Sequence, residues 1–201
     1  MATGIVVGLG GPIAAGKSAV ANYLRDSYDF TVLSYSRFLA RRLEQRGAPV
    51  NRYSLQAMGL ELGSSLGYDG LTRLLMENTD AGKHYAVDGV RHKTALEYLR
   101  KRYKQRFVFI FREVDRKTRW QLCCERRQEQ RPPTLEEFCA IEASSVEAMA
   151  EALKDAADLV LPYFPQVACL HARVDGFLLA HFVLKPRSQS RADGSTVGGR
   201  T

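Results

Sequence analysis

The sequence predicts an α/β protein, a three-layer arrangement with a five-stranded parallel sheet and helices on both faces. Three observations carry this. Short apolar runs alternate with segments of helical periodicity along the whole chain. The run Phe107-Val108-Phe109-Ile110-Phe111 is apolar throughout, as a central parallel strand covered on both sides should be. A glycine-rich stretch, residues 11–18, falls between a strand pattern and a helix pattern. With 201 residues, 45% of them hydrophobic, the chain is long enough to bury one core without disulfide or metal staples.

Ile5-Val6-Val7 reads as the first strand, and a helix beginning at Ser18 puts Val20 and Leu24 on one side. Phe30 to Ser34 is the second strand. A helix opening at Ser36 runs to about Arg46, where Gly47 and Pro49 stop it. Leu55, Met58, Leu62 and Leu66 recur at helical spacing, so Ser54 to Leu66 is a further helix. Gly67-Tyr68-Asp69-Gly70 breaks it before a short one carrying Leu71, Leu74 and Leu75. Tyr85 to Asp88 is the third strand, and Thr94-Ala95-Leu96-Glu97 reads as a capping box starting the next helix. After the fourth strand, at 107–111, comes an arginine-dense stretch interrupted by Pro132-Pro133. Thr134-Leu135-Glu136-Glu137 is a second capping box, leading a helix with Phe138, Ile141, Met149 and Leu153 at core spacing. Asp158 to Leu161 is the fifth strand, and Leu170 to Leu184 closes the fold. Residues 185–201 are polar and Gly/Ser-rich, and are expected to be a disordered basic tail.

The formal net charge of +7 favours polyanionic ligands, nucleotides among them. Cys123, Cys124, Cys139 and Cys169 form no CxxC pair and are expected to be reduced packing residues of a cytoplasmic protein. No signal peptide is expected, and no segment is apolar for the ~18 residues a membrane span needs.

Gly11-Pro12-Ile13-Ala14-Ala15-Gly16-Lys17-Ser18 matches the phosphate-binding pattern of Gly, four residues, Gly-Lys-Ser without a mismatch. Glycines let successive backbone N–H groups curl around phosphate oxygens, and the helix N-terminus adds partial positive charge. Gly11, Ala14, Ala15 and Gly16, with Lys17, Ser18 and Ala19 at the helix start, are therefore the candidate nucleotide-binding set. Two more polar features stand at strand ends, where ligands of such sheets bind: Ser34-Tyr35-Ser36-Arg37 and Asp88-Gly89-Val90-Arg91. A guanine-nucleotide switch protein is disfavoured, because neither Asn-Lys-x-Asp nor Asp-x-x-Gly occurs in the chain.

In this arrangement the sequence resembles the P-loop nucleotide kinases, the nucleoside monophosphate kinase and dephospho-coenzyme A kinase group, over about residues 4–180. The resemblance implies the P-loop NTPase fold over residues 1–184, with a helical acceptor-binding insertion at about 36–80 and an arginine-rich lid at about 112–133. It also implies ATP and Mg²⁺. By position, Lys17 reaches the β- and γ-phosphates and Ser18 and Asp88 attend the metal. Ser36, Arg37 and Arg91 hold the acceptor, and Arg119, Arg126 and Arg127 close over the transferring group. The segment from Pro162 to Gln166 borders the adenine.

Relatives that phosphorylate a hydroxyl often carry a carboxylate after the second strand; Ser34-Tyr35-Ser36 stands there instead. An acceptor that is already a phosphate is ionised at neutral pH and needs no general base. The expectation is a kinase acting on a nucleotide or nucleotide-like acceptor. Two alternatives stay open. One is a kinase for a hydroxyl on nucleic acid, either a modified base such as a hydroxymethyl pyrimidine or a strand end, favoured by basic runs such as Arg100-Lys101-Arg102-Tyr103-Lys104. The other is a nucleotide-binding sensor without turnover.

Overall fold

A computed structural model describes residues 4–126, 134–143 and 149–187. Five strands, β1 (Val6–Gly10), β2 (Thr31–Ser34), β3 (Tyr85–Asp88), β4 (Phe107–Arg112) and β5 (Leu159–Leu161), form one parallel sheet in the order β2-β3-β1-β4-β5. The pairing brings the carboxyl ends level: Leu9 and Ser34 both lie opposite Asp88, and Gly10 lies opposite Phe111. The chain leaves β1 towards β2 on one side and leaves β4 towards β5 on the other. The loops after β1 and β4 therefore diverge and open a crevice, the usual ligand position in such sheets.

The two faces follow from strand alternation. Val7, Leu9, Ala86, Val108 and Ile110 face α1 (Lys17–Tyr28) and α7 (Val167–Phe182), which bury Val20, Leu24, Leu170, Val174 and Leu178 against them. Val6, Val87, Phe107, Phe109 and Phe111 face α4 (Lys93–Tyr103), through Leu96 and Leu99, together with Met76 and Leu153. The helices between β2 and β3 share a core of their own: Leu39 and Leu43 of α2 (Tyr35–Gln45) pack on Met58, Leu62 and Leu71 of α3 (Arg52–Leu75). A kink at Gly67, with φ 72° and ψ 157°, divides α3 at the position where the sequence predicts a break. Glycine adopts positive φ without a Cβ clash, so the helix direction can change there. After β4 come α5 (Arg116–Arg126) and α6 (Leu135–Glu142).

Several expectations are corrected. Thr94 does not cap α4, because the helix starts at Lys93 with His92 as N-cap and no side-chain cap bond. Thr94 thus lies inside the first turn, and Glu97 pairs with Lys93 at 3.8 Å instead. The capping box at Thr134 and Glu137 does form, but α6 ends at Glu142; Met149 is exposed, and Leu153 is buried beyond the helix, against the sheet. Leu66 is exposed despite its helical spacing. Cys169 is exposed, and all four cysteines are free. Most of the predicted tail, 188–201, lies outside the described residues. Among the described residues no helix is long and apolar enough to cross a membrane.

Candidate active site

The chain leaves β1 at Gly10 and turns through residues 11–16 into α1. Gly16 is the N-cap, at φ 82°, and no side chain caps the helix. α1 therefore starts at the loop without a side-chain cap, and its dipole favours an anion there. Ala14 also stands in the left-handed region, at φ 59°, which is uncommon outside glycine and gives the loop its reversal.

For a loop to aim N–H groups inward, its carbonyls must find donors elsewhere. Three cations supply them. Lys17 Nζ donates to the carbonyls of Gly11 (2.8 Å) and Pro12 (2.7 Å). Arg112 Nε donates to that of Ala15 (3.0 Å), and Arg119 Nη1 to that of Ile13 (3.2 Å). Arg112 is buried and also donates to the carbonyls of Leu161 (3.3 Å) and Pro162 (2.6 Å), tying the phosphate loop to the segment after β5. Burial pushes its guanidinium down to about 10, which leaves it charged at neutral pH.

Arg119 departs from the expectation of a mobile lid residue. It is only 5% exposed, and its Nε donates to the Val114 carbonyl at 2.8 Å. The guanidinium also pairs with Glu142 and lies 5.7 Å from the Phe138 ring centre. Glu142 pairs with Arg116 as well. Burial alone would raise the Glu142 pKa, but hydrogen bonds from Arg119 and Arg116 outweigh it and hold the carboxyl below its ordinary range. Arg119 is thus a prop of the loop in this structure. The side chain of Arg126, and all of Arg127, lie outside the described residues.

Across the loop, Ser18 Oγ donates to Asp88 Oδ2 at 3.3 Å. Asp88 ends β3 beside β1, and the amides of Gly89 and Val90 both donate to the Leu9 carbonyl, at 3.1 and 3.0 Å, fixing the turn behind it. The two candidate metal-attending residues, 70 positions apart, are brought together.

On the other side of Asp88 lies a cavity of about 90 Å³ between α2, α3 and the start of α4. Its polar lining includes Ser36, Arg52, Gln56 and Arg91, over an apolar floor of Leu39, Leu55 and Leu71; none of its lining residues is acidic. Ser36 and Arg91 are where the sequence expects acceptor contacts, whereas Arg37 is exposed on α2 and does not line the cavity. Arg52 was not foreseen. It sits in the first turn of α3, which Asn51 caps through a reciprocal box with Ser54. The available signal was Asn51, three residues before Ser54, which sets the helix start early enough to include Arg52.

Aromatic groups shape the cavity wall. Thr72 Oγ1 donates to the Tyr68 carbonyl at 2.6 Å, so the Tyr35 hydroxyl is the donor in its 2.6 Å bond to Thr72. Burial raises the Tyr35 pKa and keeps the phenol protonated. His92 stacks on Tyr68, and burial together with the Arg91 charge pushes its pKa down to about 4, so it is neutral at pH 7.

No protein-family model matches the chain, and no curated protein sequence matches it. Solved structures do. TT1252 from Thermus thermophilus superposes with a TM-score of 0.59 at 20% identity, covering 89% of this chain and 98% of that one. Shikimate kinase from Acinetobacter baumannii, in complex with shikimate, gives 0.53 at 14% identity over 90% of this chain and 96% of its own. A gluconokinase from Sinorhizobium meliloti gives 0.51 at 10% identity, covering 90% and 99%. The fold is that of the P-loop kinases.

Proposed function

We propose that this protein is an ATP- and Mg²⁺-dependent kinase that transfers the γ-phosphoryl group to the phosphate of a nucleotide or nucleotide-like acceptor. One observation carries the reading: the phosphate loop and a cavity holding two arginines, with no carboxylate in its lining, flank the same strand end at Asp88. The loop amides and the α1 N-terminus receive the donor phosphates, and Lys17 exchanges the Gly11 and Pro12 carbonyls for phosphate oxygens. Arg52 and Arg91 neutralise an anionic acceptor and aim it at the donor. Phosphoryl transfer asks for positioning and charge neutralisation more than for covalent chemistry by the protein, and this site offers both.

Ser18 and Asp88 offer hard oxygen donors 3.3 Å apart, which suit Mg²⁺, an ion that keeps waters and substrate phosphates as its remaining ligands. Among the described residues no group of three or more His, Cys, Asp or Glu gathers to hold a metal alone, so the ion would arrive with the nucleotide. When bound, it neutralises charge on the transferring group.

A second reading, transfer to a hydroxyl, is favoured by one observation: Asp88, bonded by Ser18 of the loop, immediately precedes Gly89 of the cavity lining, and a carboxylate that reaches an acceptor hydroxyl from there can take its proton. Shikimate kinase and a gluconokinase share the fold. The test is ADP release from ATP and Mg²⁺ with separate nucleoside monophosphates, dephospho-coenzyme A, shikimate, gluconate and hydroxymethyl-pyrimidine DNA. Turnover with a monophosphate supports the main reading. Turnover confined to hydroxyl acceptors replaces it with the second, and tight ATP binding without any transfer makes the protein a sensor.

A further inference from the structure

A basic face on α4 and the end of α3 takes no part in the site described above. α4 starts at the carboxyl end of β3 and runs back towards the start of β4. Beyond it, Arg106 Nη1 donates to the Gly4 carbonyl at 3.1 Å, at the amino end of β1. The far end of α4 is thus separated from the phosphate loop by the length of β1, about 16 Å.

On this face Arg73 and Arg102 both lie over Tyr98, 5.7 and 6.0 Å from its ring centre, and Arg102 Nη1 donates to the Tyr98 hydroxyl at 2.6 Å. With Lys101 they line a surface hollow of about 570 Å³ in which no lining residue is acidic. Arg102 and Arg106 flank Tyr103 in the same way, at 5.5 and 5.8 Å, so the cations continue along the surface. Other cations of the same helix are neutralised: Arg100 pairs with Asp158 at 3.3 Å and Lys93 with Glu97. Among the described residues no carboxylate bonds to Arg73, Lys101 or Arg102.

Three like charges held around one hollow repel each other, and an entering oxyanion removes that cost. Tyr98 already holds two guanidinium groups in place, so less side-chain freedom is lost on binding. The guanidinium fork matches phosphate oxygens. A row of cations rather than a single nest suits a repeating anion. Arg73 lies over the Tyr98 ring, 5.7 Å from its centre, where a base would otherwise stack.

We infer that the α3–α4 face around Tyr98 is a docking surface for the phosphate backbone of nucleic acid, independent of base sequence and separate from the phosphotransfer site. The inference does not rest on the kinase reading. The test is fluorescence anisotropy of the full chain with labelled oligothymidine, between about 50 and 200 mM salt. Binding should weaken linearly in log–log form as salt rises. The triple variant Arg73→Gln, Lys101→Gln, Arg102→Gln should bind about tenfold or more weakly and lower the slope by about 2, from three contacts of about 0.7 each. Its thermal midpoint reports folding, and Lys17→Ala should bind the oligonucleotide as the unaltered chain does. No binding at low salt, or binding that the triple change leaves intact, overturns the inference. Binding lost with Lys17→Ala assigns the oligonucleotide to the phosphate loop and overturns it too. Stoichiometric pyrophosphate binding that displaces the oligonucleotide and disappears in the triple variant makes the hollow a small-phosphate site and overturns the backbone assignment.

Discussion

The imidazole of His92 lies flat against the ring of Tyr68, with centroids 3.2 Å apart and planes within 9°. The pair divides two spaces, because both rings line the cavity that holds Arg52 and Arg91 and also a larger groove between α4 and residues 149–156. Tyr68 follows the Gly67 kink and His92 is the N-cap of α4, so two loop-like points of the backbone meet in this wall.

The stack makes stability depend on pH in a defined window. His92 has its pKa lowered from 6.5 to about 4 in the folded chain, by burial and by Arg91. The unfolded chain therefore takes the proton first as pH falls. The contribution of neutral His92 is whole above about pH 6.5 and shrinks as pH drops towards about 4. His92→Phe, which keeps a ring on Tyr68, should flatten this part of the urea-midpoint profile against pH. An unchanged profile would contradict the assignment.

Removing one cavity arginine should separate acceptor from donor. Arg52→Ala or Arg91→Ala is expected to raise the acceptor KM about tenfold or more, in line with about 1.5–3 kcal/mol for a hydrogen bond to a charged group. The KM for ATP should stay within about twofold. Initial-rate kinetics with each substrate varied in turn reads the split.

Lys17→Ala should remove phosphoryl transfer by about 10²–10³-fold or more, the scale of losing a charge-stabilising donor. Far-UV circular dichroism should be unchanged. Transfer that survives this change would place the chemistry elsewhere.

Arg112→Met should leave the carbonyls of Ala15, Leu161 and Pro162 without this donor, lowering stability by about 1–3 kcal/mol and weakening ATP binding together. Arg112→Lys should not restore ATP affinity, because an ammonium cannot span both sides as the planar fork does. Denaturant melts and nucleotide titration on the two variants measure this.

Asp88→Asn keeps the shape of the strand end and removes its charge. The Mg²⁺ concentration giving half-maximal ADP release should rise by about tenfold or more, since one hard anionic donor is lost beside Ser18. A variant with unaltered metal dependence would remove Asp88 from the metal side.

Local features of this protein were legible in the sequence where short-range chemistry decides them. The β3 span of Tyr85–Asp88, the break at Gly67 and the Thr134–Glu137 cap each depend on a few adjacent residues. The phosphate loop was legible for the same reason. What stayed hidden depends on packing between distant elements. Arg112 and Arg119 belong to a run that reads as a solvated or lid-like stretch, and only the docking of β4 and α5 against residues 11–16 buries them. Arg52 lies just ahead of the first apolar repeat, so periodicity alone starts the helix after it, at Ser54. Thr94 and Glu97 match a cap pattern, yet the path from β3 through Val90, which is fully buried, starts the helix at Lys93, before Thr94.

The outward carbonyls of the phosphate loop have a consequence for how the protein becomes competent during folding. Two of the cations that hold them, Arg112 and Arg119, come from 97 and 106 residues further along the chain. Contacts that span so much sequence are costly to close and form late. A nascent chain that has already emitted the whole Gly-to-Ser motif therefore carries a loop braced only by its own Lys17 until β4 and α5 arrive. Anion affinity is a property of the completed sheet, and a fragment ending before Arg112 would contain the motif in full and hold nucleotide poorly.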